Sequence, residues 1–246
     1  MGTADAYTRL AAVYDEIVVD PCHERWAAFV HEVWRAGVPD VRSVLDVCCG
    51  TGLMAAELMA LGYRVVGVDA SASMLERARR LLGPDAGLVQ TTLPDLTIAG
   101  DFDAAVSTYD GLNYLTPIGL QTALLAVASR LRAGGWFIFD LHTDAMMGFT
   151  ASNPEVKGEA RGQLFAIASV VDVRARTCDT RIEVTRLSDG DTFTEHHRQH
   201  FFTDAQVQGA LAEAGFRVVA VTAEYTHEPV TASSMRATWI TRLRPG

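Results

Sequence analysis

The chain is poor in the residues that staple or chelate. Its 246 residues hold four cysteines, Cys22, Cys48, Cys49 and Cys178, with neither C-x-x-C spacing nor the density of a disulfide scaffold. Cys48 and Cys49 are adjacent, and in strand geometry their side chains point to opposite faces, so the pair is a poor chelate and no metal is expected. Positive charge is also scarce: 21 Lys and Arg stand against 30 Asp and Glu, for a net charge of -9. Apart from the scattered Arg236, Arg242 and Arg244 there is no basic grouping, and an acidic surface repels phosphate backbones, which excludes nucleic acid as a partner. No run approaches the roughly 18 apolar residues of a membrane span. The start "MGTADAYTRL" lacks the basic-then-apolar order of a secretion signal, so a cytoplasmic protein is expected. An oligomer is compatible with this composition but not predicted by it.

What is present is alternation. "AYTRLAAVYDEI" puts Tyr7 and Tyr14 two helical turns apart on one face, and "CHERWAAFVHEVWRAG" is amphipathic, with Trp26, Phe29, Val30, Val33 and Trp34 at helical spacing. Residues 1–40 thus form a helical lead-in. "VRSVLDV", "YRVVGVD", "AGLVQTT", "FDAAVST" and "GGWFIFDLH" are strands separated by helices. Of these helices, "SMLERARRLL" carries a Ser73–Glu76 capping box, and Thr116 with Pro117 opens a helix running to Arg132. Strand–helix alternation predicts an α/β fold, a doubly wound, mostly parallel sheet covered on both faces. After His142 the pattern changes to strands without helices, "QLFAIASVVDV", "CDTRIEVTRL" and "TFTEHHRQHFF", with "SDGD" as a hairpin turn. Residues 143–202 are therefore an antiparallel β insert after the fifth strand. A Thr203–Gln206 capping box opens the last helix, and two closing strands bring the sheet to seven within a single domain, 1–246.

The loop "DVCCGTG" joins the first strand to the first helix, where α/β sheets bind ligands. Gly50 and Gly52 let backbone amides approach a ligand at a helix N-terminus. Asp69 ends the second strand seventeen residues later, placed to accept the hydroxyls of an adenosine ribose. Gly50, Gly52 and Ala55 formally satisfy a dinucleotide fingerprint, but Asp46 is poor company for a pyrophosphate. S-adenosylmethionine suits the loop better, because Asp46 attracts the ammonium of its methionine end.

The segments "YDEI", "LDVCCGTG", "GVDASASML", "FDAAVS", "LRAGGWFIFD" and "LAEAGF" together resemble the class I S-adenosylmethionine-dependent methyltransferases, over nearly the whole chain. The likeness is greatest to small-molecule enzymes of the glycine and antibiotic-sugar N-methyltransferase type, which implies a Rossmann-like methyltransferase fold with an N-terminal helical lid. By position, the resemblance implies that Asp46, Cys48, Gly50 and Gly52 surround the methionine portion and Asp69 holds the ribose. Ala70 and Met74 would flank the adenine. Thr92 stands where the family usually has a carboxylate for the adenine amino group, Leu93 offers a backbone amide, and Thr108 and Tyr109 lie under the sulfonium. Cys48 takes a position where the family commonly has glycine or alanine.

Transfer of an activated methyl needs alignment of the acceptor and removal of a proton, without a covalent nucleophile. Tyr14, Asp110 and His142 are the catalytic candidates: a tyrosine closing over the methyl, a carboxylate to hold an amine, and an imidazole that titrates in the right range. Tyr7, Asn113, Tyr114 and His197 are the substrate-contact candidates. In "EHHRQH" strand alternation puts His196 and His200 on one face and His197 on the other, too few together for zinc. The expectation is methyl transfer from S-adenosylmethionine to a small molecule, foremost an amine nitrogen of a secondary metabolite in antibiotic biosynthesis. The alternatives are an oxygen acceptor with His142 as base, an NAD-dependent oxidoreductase, and a silent S-adenosylmethionine-binding protein.

Overall fold

The computed structural model describes residues 6–18, 22–37 and 40–245. The lead-in is less helical than its spacing suggests. A single 3-10 turn, Leu10–Ala12, and one turn of helix, α1 (Tyr14–Ile17), precede the long α2 (Cys22–Arg35). Tyr7 is not in a helix at all, because its φ is +61°. The rings of Tyr7 and Tyr14 nevertheless meet, with centroids 5.6 Å apart. Helix α2 is part of the core: Trp26, Phe29, Val30 and Trp34 cluster with Ala104, Ile138 and Ile240 of the central strands.

The main sheet is built from β1 (Ser43–Val47), β2 (Arg64–Asp69), β3 (Gly87–Gln90), β4 (Phe102–Ser107), β5 (Leu131–His142), β10 (Phe216–Ala223) and β11 (Arg236–Leu243). Its seven strands run in the order β10-β11-β5-β4-β1-β2-β3. The five on the β3 side are parallel, while β11 is antiparallel to both its neighbours. Every residue of β1 and β4 is buried, as expected where helices cover both faces. Helices α3 (Leu53–Ala60), α4 (Ala72–Leu82), α5 (Pro117–Ala128) and α7 (Asp204–Glu213) complete the layers. The cap of α4 is Ser71, whose hydroxyl accepts from the Met74 amide, and not Ser73. Thr116 caps α5 as expected, but the helix stops at Ala128, because the chain must reach β5 by Leu131. The Thr203–Gln206 capping box forms in full.

Between β5 and α7 the chain adds α6 (Asp144–Ser152), capped by Thr143. A second sheet of four antiparallel strands follows: β6 (Glu155–Ala160), β7 (Gln163–Asp172), β8 (Thr177–Arg186) and β9 (Thr192–His200). Neither α6 nor β6 is legible in the sequence. The helix is only nine residues and lacks a clear apolar stripe, and "EVKGEA" lacks the β-branched alternation that marks a strand. The insert packs on the lead-in, where Leu10 and Val13 bury against Val184 and Phe193. Lead-in and insert together stand over the carboxyl ends of the parallel strands, which is where the site lies.

Candidate active site

A cavity opens at the carboxyl ends of β1, β2 and β4, lined by the glycine loop, the turn after β2, and Tyr7, Tyr14 and Tyr114. Gly50 adopts φ +53°, and a Cβ built on it would meet nothing within 4 Å, so the space above this residue is open for a ligand. Gly52 serves packing instead. It has φ +84°, and a Cβ there would lie 3.1 Å from Cβ of Ala78 on α4. Cys48 lines the cavity with φ +59°, in the left-handed region where glycine is normal. It fits because its neighbour has no side chain: a Cβ on Gly111 would stand 2.7 Å from Cβ of Cys48. Burial pushes both thiols up, so Cys48 and Cys49 are inert wall groups.

Asp69 receives the Gly50 amide at 2.9 Å on one oxygen and the Ser71 amide at 2.8 Å on the other. Each oxygen keeps a lone pair, enough to accept both hydroxyls of a ribose. Burial raises its pKa against these hydrogen bonds. Asp46 is the more unusual carboxylate. It is 1% exposed and lies behind the residues that line the cavity; among the described residues neither oxygen has a partner in good hydrogen-bonding geometry, although the Ala55 amide is near enough to lower its pKa somewhat. Loss of hydration, with Asp69 adding to it, pushes its pKa up to about 8. The Ser107 hydroxyl on β4 is also buried, with only a weak contact to the Cys48 thiol among the described residues. Orphaned polar groups of this kind are rare in folded proteins and fit a ligand that brings a cation and hydrogen-bond donors, as the methionine end of S-adenosylmethionine does. The residues present therefore suit this cofactor. Ala70, Met74, Thr108 and Tyr109 also line the cavity. Thr92 and Leu93 do not; Thr92 is solvent-exposed and Leu93 packs against the core.

Four of the expected side chains, two catalytic candidates and two substrate-contact candidates, sit elsewhere. Asp110 does not line the cavity. Its carboxylate takes Nη2 of Arg236 at 2.8 Å, Nε2 of Gln199 at 2.7 Å and Nε2 of His142 at 3.4 Å. Burial opposes its ionisation, but His142 and Arg236 hold its pKa well below the usual carboxylate range. Such a carboxylate has little basicity left for an acceptor. His142 faces a different opening, beside Asp144, Thr203 and Trp239, and not the cavity of Cys48 and Asp69. Asn113 is fully buried and structural, donating to the His200 carbonyl at 2.6 Å and accepting the His142 amide at 3.1 Å. His197 also lies behind the wall, with Nδ1 2.9 Å from the Tyr114 hydroxyl.

Several contributors escaped the sequence reading. His23 lines the cavity, stacked on Tyr109 with centroids 5.7 Å apart. Arg236 pairs with Asp140 at 2.7 Å as well as with Asp110, and its guanidinium lies 5.1 Å from the Tyr109 ring centre. Tyr225 donates to Asp140 at 3.0 Å. No local pattern marks these residues, because each pairs across a long stretch of chain; Arg236 and Asp110 are 126 residues apart. Ser71 was within reach, as the capping residue two places before Ser73.

A methyltransferase-domain family profile matches residues 44–135. The chain is 30% identical over 205 residues to the cypemycin N-terminal methyltransferase of a Streptomyces species, covering 79% of this chain and 80% of that one. It is 28% identical over 200 residues to the dTDP-3-amino-3,4,6-trideoxy-alpha-D-glucopyranose N,N-dimethyltransferase of Streptomyces venezuelae, covering 78% and 82%. In fold it matches an S-adenosylmethionine-dependent methyltransferase from Clostridium acetobutylicum ATCC 824 with a TM-score of 0.86 at 22% identity, covering 96% and 98%. With a glycine loop and two acids placed for a nucleoside that carries an amino-acid end, and these relatives along most of its length, the chain belongs to the class I S-adenosylmethionine-dependent methyltransferases.

Proposed function

We propose that this enzyme methylates the amine nitrogen of a small molecule of secondary metabolism, of the kind found in antibiotic biosynthesis. The orphaned carboxylate of Asp46 is the observation that carries the cofactor half of this reading. When bound, S-adenosylmethionine supplies an electrophilic methyl carbon and a sulfur that takes back the electron pair. The loop amides and Asp69 hold the nucleoside end, Asp46 holds the ammonium, and the lead-in covers the methyl from above. Tyr14 is the residue proposed to lie over the methyl, with Tyr7 and Tyr114 toward the acceptor.

Support for nitrogen comes from the wall chemistry and from the relatives. Burial raises the pKa of Tyr7, Tyr14 and Tyr114 well above the ordinary phenol value, so all three stay neutral and present oxygen lone pairs to an incoming N–H. Both curated relatives named above are, by their names, N-methylating enzymes. Incubation with S-adenosylmethionine and three probes tests the reading. These are dTDP-3-amino-3,4,6-trideoxy-alpha-D-glucopyranose, the same sugar nucleotide with a 3-hydroxyl, and a short peptide with a free N-terminal amine, each followed by mass spectrometry. A one-methyl gain on an amine is expected; methylation of the hydroxyl compound alone would sink the nitrogen assignment.

A further inference from the structure

Behind the cavity wall runs a chain of two hydrogen bonds and one ion-pair contact that cofactor binding does not use. The Tyr7 hydroxyl lies 2.6 Å from that of Tyr114, which lies 2.9 Å from Nδ1 of His197. On the other side of the ring, Nε2 of His197 lies 3.3 Å from Oε2 of Glu195, an ion-pair contact outside hydrogen-bonding geometry. Glu195 and His197 both point inward from β9, and each is less than a tenth exposed. Only the tyrosine end of the chain reaches the cavity.

The chain has a direction. Three lead-in amides donate to the Glu195 carboxylate: Tyr7 at 2.8 Å, Arg9 at 2.6 Å and Leu10 at 2.8 Å. Although burial works against ionisation, the His197 contact and these amides lower its pKa, so it is an anion. An anion beside Nε2 favours a proton there, which leaves Nδ1 as an acceptor and makes the Tyr114 hydroxyl its donor. Tyr114 must then accept from Tyr7, which keeps a lone pair and lines the cavity. Neither phenol stores a negative charge, because burial holds both pKa values high. The groups facing the imidazole are Glu195 on its own strand, Tyr7 from the lead-in and Tyr114 from the turn after β4. The next carboxylate, Asp110, is held by Arg236.

We propose that Glu195, His197, Tyr114 and Tyr7 form a proton outlet for the acceptor, with Tyr7 touching the amine and His197 acting through the two tyrosines. This inference rests on the amine reading above. An ammonium N–H passes its proton to the Tyr7 oxygen as Tyr7 passes its own to Tyr114 and Tyr114 passes its own to Nδ1 of His197. The amine becomes neutral and the imidazole becomes a cation beside Glu195. The freed nitrogen pair then forms the C–N bond while the C–S bond breaks and its electrons return to sulfur, leaving the positive charge on the methylated nitrogen. Backbone geometry supports the arrangement. Tyr7 is held at φ +61°, its N–H by Glu195 and its carbonyl by the Ser71 hydroxyl at 2.9 Å. A residue fixed in that region is over-determined by its surroundings.

The test compares the full-length wild type with His197→Gln and Tyr114→Phe on the amine probe that the wild type methylates, from pH 6 to pH 10. Each variant should bind S-adenosylhomocysteine with wild-type affinity by calorimetry, and each should lose about 10²-fold in kcat at low pH. The deficit should shrink as pH rises through the amine's own pKa, because the acceptor then arrives deprotonated. A deficit independent of pH, or a loss confined to cofactor affinity, overturns the outlet while leaving the amine reading intact. If the wild type methylates neither amine probe, both fall together. As a measurement needing no variant, 15N NMR of the S-adenosylhomocysteine complex should show His197 protonated at Nε2 and bare at Nδ1; the opposite tautomer refutes the direction of transfer.

Discussion

Replacing Asp46 with Asn should make the ligand-free protein more stable and its grip on the cofactor weaker. The unfolded carboxyl titrates near 3.8 and the folded one near 8. A raised carboxyl pKa contributes most to stability below about pH 4, and that contribution is lost as pH rises, levelling off above about pH 8. At pH 7 the folded protein keeps a proton that the unfolded chain has released. At about 1.4 kcal/mol per pH unit between 3.8 and 7, the penalty is at most about 4 kcal/mol. Asparagine removes that penalty but leaves its own amide without partners, which costs about 1–3 kcal/mol. The net gain is at most about 1–3 kcal/mol, a rise of roughly 2–12 °C in Tm for a chain of this size. The cofactor ammonium loses a charge-assisted contact of about 1.5–3 kcal/mol, or roughly 10- to 150-fold in affinity. Binding to the wild type at pH 7 should also release nearly one proton, as the ammonium drives Asp46 to ionise, and binding to the variant none. Calorimetric titration with S-adenosylhomocysteine in buffers of different ionisation enthalpy measures this directly. A variant that melts below the wild type, or wild-type binding without proton release, refutes the reasoning.

Gly50→Val has room to fold, since nothing lies within 4 Å of a Cβ there, and its positive φ costs about 1–2 kcal/mol. Its branches fill the cofactor's space, so S-adenosylhomocysteine binding should vanish from calorimetry while the far-UV CD spectrum stays native. Arg236→Met leaves Asp110 and Asp140 buried without their cation and should destabilise the fold by about 3–5 kcal/mol near pH 8. Asp110 has a depressed folded pKa, so its pairing stabilises above the unfolded value and is lost in acid, while Asp140 is pushed up to about 6 by burial. The gap between variant and wild type in urea unfolding should narrow as pH falls from 8 to 5 because Asp140 takes up its proton there, the Asp110 pairing being lost only below the unfolded value of 3.8; a constant gap would contradict the ion-pair account.

The cofactor half of the site was the more legible half. Asp46, Gly50 and Asp69 belong to a strand-loop-helix-strand unit in which spacing along the chain is nearly spacing in space, so their placement at one end of the sheet is legible in local periodicity. Gly52 shows the limit even there: its positive φ is a local property, but its close approach to Ala78 is a matter of how α3 meets α4. The acceptor half resisted. Asp110 reads as an available carboxylate until Arg236 and Gln199 are seen to occupy it, and His197 reads as a contact residue until Tyr7 and Tyr114 are found in front of it. Tyr7 and Tyr14 do meet, although a positive φ at Tyr7 brings them together and not the shared helix face that their spacing suggested.

From the amino-acid order alone came the alternating α/β layout, the antiparallel insert, the glycine loop with its two acids, and an adenosine-bearing cofactor. Each of these is written in short-range patterns, through side-chain period, capping residues and turn residues, that hold wherever the segment sits. What the tertiary structure decided is which polar groups are already spent. Among the described residues Asp46 is left without a partner in good hydrogen-bonding geometry, Asp110 is paired with Arg236, and Glu195 ties the lead-in to the insert. Burial and partnership set the protonation of these carboxylates, and both depend on segments more than a hundred residues apart meeting in the fold.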